Sequence, residues 1–219
     1  MKDNITPPTE PAGLTTGRAI LWGSAGFCGV SVAAFSIWAG GSGWFRHRGG
    51  EAALYAAIAI AFVGLTGLFL HPLLVGPRRI RRFYAAFTPA FLLYAVVWSG
   101  FWFWLKFGLG EWLGAFFGSA SFVAIMAWRL GRWHSLVPVT VVFFALHTAG
   151  YFAGGWCMAQ LLALARQVPP PVLNKGTLIT CAMLSWGVMY GLGFGAGLGY
   201  LLAVLQRPSA GATGSPQSR

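Results

Sequence analysis

Charge is what this chain has least of. Only 9% of its residues are charged and only four are acidic, Asp3, Glu10, Glu51 and Glu111. Ordinary soluble domains carry roughly a quarter charged residues, and a soluble fold could not cover its surface with so few. No carboxylate lies in the middle of a long apolar stretch, where ion pathways and intramembrane hydrolases commonly keep one. That absence argues against a carboxylate-driven pump. Cysteine is scarce as well. Cys28, Cys157 and Cys181 sit in apolar surroundings without CxxC spacing, which argues against a disulfide framework or a zinc site. No arrangement of nucleophile, base and orienting acid stands out. No catalytic residue, metal ligand or cofactor-binding residue is therefore assigned, and the chain is expected not to be an enzyme.

Apolar residues are what the sequence has in abundance. They make up 57% of the chain, together with 31 glycines and 11 tryptophans. A bilayer core ~30 Å thick takes about 20 apolar residues per helix. Six segments qualify: about 19–40, 52–76, 85–108, 111–128, 137–165 and 178–206. The expected fold class is an all-α polytopic transmembrane helical bundle of six spans, close-packed through glycine and alanine. The break between the third and fourth spans is only Gly108-Leu-Gly110, so a five-span alternative treats 101–128 as one interrupted helix. Residues 1–18 and 207–219 are polar and read as disordered cytoplasmic tails.

The net charge of +11 is distributed at the edges of the apolar stretches. Such placement orients a protein in a membrane and leaves no folded basic surface for nucleic acid, so no nucleic-acid partner is expected. With six spans, ten Lys and Arg fall on the side of the termini and five on the other. By the positive-inside rule both termini are cytoplasmic, in the cell (inner or plasma) membrane. Glu51 and Glu111 begin helices and Arg129, Arg166 and Arg207 end them, as the helix macrodipole favours. Ser135 is the expected cap of the fifth helix, and VPPPV at 168–172 separates the last two spans.

Four glycines, Gly187, Gly191, Gly195 and Gly199, recur every four residues in the last span, with Gly193 and Gly197 between them. Bare tracks of this kind let helix backbones approach in lipid. The fifth span carries Ala145, Ala149 and Ala153 on one track with Gly150 and Gly154 beside it. A tight seam between the fifth and sixth helices is the expectation. The run GLGFGAGLG resembles the glycine-repeat helix of the rotary ATP synthase proteolipid family over about nine residues. That family has two helices and an ion-binding carboxylate in the second. This chain has neither feature, so the resemblance implies only close helix approach.

His147 is the polar residue of most interest. Ten positions into its helix, it lies ~15 Å deep at the helical rise, near the bilayer midplane. A ring at that depth needs a partner; Thr148 and Tyr151 nearby, or Ser185 and Tyr190 on the next helix, are candidates. His147, Tyr151, Gln160 and Tyr190 are accordingly the candidate polar residues, with Trp98, Trp156 and Trp186 as walls of a pocket or as packing residues. His71 differs from His147 in depth, which disfavours a shared haem iron. Arg78, Arg79, Arg81 and Arg82 are candidate contacts for anionic lipid head groups.

Three functional readings follow. The first is a non-enzymatic membrane component acting through packing, homo-oligomerisation or a partner membrane protein. The second is a small transporter or channel with a path beside helices 5 and 6 near His147. The third is a haem or quinone redox protein.

Overall fold

A computed structural model describes residues 14–106, 108–167 and 173–207. The VPPPV run and nearly all of both expected tails lie outside the described residues. Within them six long helices follow one another: α1 (Thr16–Arg48), α2 (Gly50–Leu70), α3 (Arg79–Leu105), α4 (Leu109–Leu130), α5 (Leu136–Ala165) and α6 (Lys175–Leu205). A short 3-10 turn at His71–Leu73 precedes the loop into α3, and another at Trp133–Ser135 runs directly into α5. All six long helices are long and apolar enough to cross a membrane.

The breaks occur where backbone chemistry requires them. Gly49 alone joins α1 to α2, and Gly50 takes a φ of 68°. Pro72 cannot extend α2, so the helix stops at Leu70, six residues before the expected end. Lys106 and Gly108 adopt positive φ and separate α3 from α4, which removes the five-span alternative. Gly131 ends α4 in the left-handed region, its N–H donating to the carbonyls of Ala127 and Trp128. Asn174 caps α6 by accepting from the Thr177 N–H at 2.9 Å. Ser135 precedes α5 without a side-chain cap bond, because it already belongs to the 3-10 turn. α1 starts at Thr16, so residues 16–18 are helical and not part of a tail. α3 starts at Arg79, so three of the four clustered arginines occupy its first turn.

α6 packs against both α1 and α5, α3 packs along α4, and α2 lies outside against α1. The core is aromatic. Phe27 stacks on Phe194 with centroids 4.6 Å apart, and Phe122 stacks on Phe143 at 5.0 Å. Trp22, Trp44, Trp104, Trp112, Trp128 and Trp133 are exposed on the outside of the bundle, whereas Trp38 and Trp102 are half-buried.

The glycine track does not face the helix expected of it. A Cβ at Gly191 would lie 2.6 Å from Cys28 Cα, and one at Gly195 would lie 2.8 Å from Phe27 Cβ. Gly187 meets Phe35 and Gly199 meets Ala19 and Ile20. All of these neighbours belong to α1. The interleaved Gly193 faces α5 instead, where a Cβ would lie 2.8 Å from Gly150 Cα. Positions two residues apart on a helix point about 200° from each other, so one glycine-rich segment serves two opposite neighbours.

Candidate functional site

His147 is fully buried in the middle of α5. Its Nε2 lies 2.8 Å from the Tyr94 hydroxyl of α3, and its Nδ1 lies 3.5 Å from the Ser119 hydroxyl of α4. Each ring nitrogen faces a hydroxyl that can donate or accept, so either tautomer of the imidazole is satisfied. The remaining walls are rings. Phe143 lies parallel to the imidazole at 6.2 Å, while Tyr190 and Phe194 of α6 meet it edge-on at 5.6 Å each. One side chain thus connects four helices.

The partners are not those anticipated. Thr148 is buried with no hydroxyl partner among the described residues, and Ser185 donates to the Ala182 carbonyl one turn back. Tyr151 donates instead to Glu111 Oε1 at 3.0 Å. Glu111 also accepts from the Gly108 N–H at 3.3 Å, so it closes the start of α4 and ties it to α5. Tyr190, a candidate hydrogen-bond partner by its position on the next helix, sets its ring edge-on beside His147 instead. Gln160 does not join the group: it is exposed near the far end of α5, about 20 Å along the helix from His147.

Trp98 and Trp186 flank Tyr151 with ring centroids 5.7 and 5.5 Å away, while Trp156 points outward and is exposed. The indole N–H groups of Trp98 and Trp186 have no partner among the described residues. Tyr94 and Ser119 were missed from the sequence. Both are polar residues inside apolar spans, the one signal available there, and only the packing of α3 and α4 against α5 selects them.

Both nitrogens of His147 are engaged, and Nδ1 of His71 lies 3.0 Å from the carbonyls of Gly67 and Leu68 in its own helix. Among the described residues no three His, Cys, Asp or Glu side chains converge, and all three cysteines are free.

The packing glycines separate by face. Gly187, Gly191, Gly195 and Gly199 meet α1; Gly150 meets Met189 and Gly193, and Gly154 meets Trp186, all on α6. The clustered arginines split too. Arg79 donates to the Gly76 carbonyl at 3.2 Å and Arg82 to the Val75 carbonyl at 2.9 Å, while Arg78 adopts a φ of 52° just before α3.

Six long apolar helices around a buried aromatic core define a multi-pass membrane protein. No protein-family model, no curated protein and no solved structure matches the chain.

Proposed function

We propose that the chain is a non-enzymatic component of the cell membrane that acts by lateral association with a second copy or with the helices of a partner protein. Glycine-mediated packing of α6 between α1 and α5 supplies the rigid support for that contact. Both termini are cytoplasmic in this reading.

The observation that carries it is the division of small residues on α5. Gly150 and Gly154 turn toward α6, whereas Ala145, Ala149 and Ala153 are exposed on another face of the same helix. In lipid, helices associate where small side chains let backbones approach, not where apolar area is largest. An alanine track left on the outside is suited to receive another helix. The enclosure of His147 by hydroxyls and rings favours a structural role for that residue over a path beside it.

Cysteine crosslinking in native membranes tests the reading. With the three native cysteines replaced by serine, Ala149→Cys is expected to give a dimer or a discrete larger adduct on oxidation. Ile60→Cys, exposed on α2, is the lipid-facing control and is expected to give none. Monomer alone from cysteines at 145, 149 and 153 would refute association through this face.

A further inference from the structure

At the α2–α3 junction Pro77, Arg78, Arg81, Arg82 and Ala85 line a surface depression of about 550 Å³. A role in orienting the chain requires only that cations lie on one side of the membrane. It does not require that three of them converge on a single concavity. Arg82 is fixed there by its bond to the Val75 carbonyl, folding across Gly76, whose φ is 98°. A Cβ at Gly76 would lie 3.0 Å from Arg82 Nη1. Among the described residues the guanidiniums of Arg78 and Arg81 have no hydrogen-bond or ion-pair partner.

Among the described residues no carboxylate lies beside this charge. α3 has no acidic residue in its first turn, and the cations there face the positive end of its macrodipole. The carboxylates of Glu51 and Glu111 begin α2 and α4, at the opposite end of the bundle. Guanidinium groups present forked donors that match phosphate oxygens.

We propose that the depression formed by Arg78, Arg81 and Arg82 binds a phosphate-bearing anion, either the head group of an anionic lipid or a soluble phosphate compound. The site is independent of the association face on α5. Arg82 is the anchored member, and Arg78 and Arg81 are the groups free to close on the ligand.

Native mass spectrometry of the full chain released from detergent tests this, with phosphatidylglycerol, phosphatidylcholine and inorganic phosphate as probes. Wild type is expected to retain one phosphatidylglycerol in clear preference to phosphatidylcholine. The double variant Arg78→Gln/Arg81→Gln, which keeps the Arg82 bond, is expected to lose about thirtyfold in that retention, the effect of two cations at a bilayer surface. Arg129→Gln is the control; its guanidinium lies over the Trp128 ring at 4.8 Å, away from the depression. It is expected to retain lipid as wild type does. Displacement of the lipid by millimolar phosphate supports a soluble ligand, and resistance to phosphate supports the head group. Equal retention of both lipids by wild type, or undiminished retention by the double variant, overturns the proposal. Arg81→Lys guards against misfolding of the double variant: it keeps the charge but not the fork, and an intermediate loss is expected.

Discussion

A histidine at the centre of a bilayer must be paired, because there is no water to satisfy it. His147 meets that requirement with one hydroxyl from α3 and one from α4, and so joins both helices to α5. Its place inside a long apolar helix was legible in the sequence, since it follows from counting along the span. Its partners were not, because neither Tyr94 nor Ser119 stands at a spacing that relates it to position 147. Tyr94→Phe removes the bond to Nε2 and keeps the ring that lies 5.5 Å from Phe194. The expected cost is about 0.6–1.7 kcal/mol, the range for interhelical hydrogen bonds in membranes, read from the midpoint of SDS unfolding in mixed micelles. Tyr55→Phe, exposed on α2, is expected within about 0.5 kcal/mol of wild type. A double-mutant cycle combining Tyr94→Phe with His147→Leu should give a coupling energy of the same order. No measurable coupling would mean that the two side chains do not stabilise the fold through each other.

At the scale of one helix, α6 is the element on which the others depend. The four-residue spacing of Gly187, Gly191, Gly195 and Gly199 places them on one face, and that much follows from helix geometry alone. Which neighbour they meet does not. Chain order suggested α5, the adjacent helix in sequence, but the track lies against α1 and only the glycines between its members reach α5. α1 returns from the far end of the sequence to fill that face, and spacing within one helix carries no information about such a return. Gly195→Ala distinguishes a packing glycine from a tolerated one. Its Cβ would fall on the Gly23 backbone of α1, a contact that no side-chain rotation relieves, and a loss of roughly 1–3 kcal/mol is expected. Gly29→Ala, at an exposed α1 position with nothing within 4 Å, should be neutral or gain up to about 1 kcal/mol from helix propensity. Equal stability of the two variants in SDS titration would show that the α1–α6 approach does not depend on glycine.

The whole molecule carries more of its described cations at one end than at the other. Arg207 donates to the Thr16 hydroxyl, while Gln206 accepts from the Val75 N–H at 2.6 Å and donates to the Leu73 carbonyl at 2.9 Å. These bonds place the start of α1, the end of α2, the start of α3 and the end of α6 on the same side. Alternation adds the turn between α4 and α5. That side carries Arg18, Arg78, Arg79, Arg81, Arg82, Arg129, Arg132 and Arg207, and the other carries Arg46, Arg48, Lys106, Arg166 and Lys175, eight against five among the described residues. The span count and the asymmetry were legible because length, hydropathy and charge are one-dimensional properties. The Gln206 clasp was not, since it joins residues more than a hundred positions apart. If the arginine excess sets orientation, the eight-cation side is cytoplasmic. In a background without native cysteines, a membrane-impermeant maleimide applied to intact cells should label Gln167→Cys, exposed between α5 and α6. Leu14→Cys, exposed beside the start of α1, should be labelled only after permeabilisation. Replacing Arg78, Arg79, Arg81 and Arg82 by glutamine reduces eight against five to four against five. A mixed population, with both sites labelled on intact cells, is then expected. Unchanged labelling would mean that these four arginines do not orient the chain, leaving the anion site as the physical reason for their convergence.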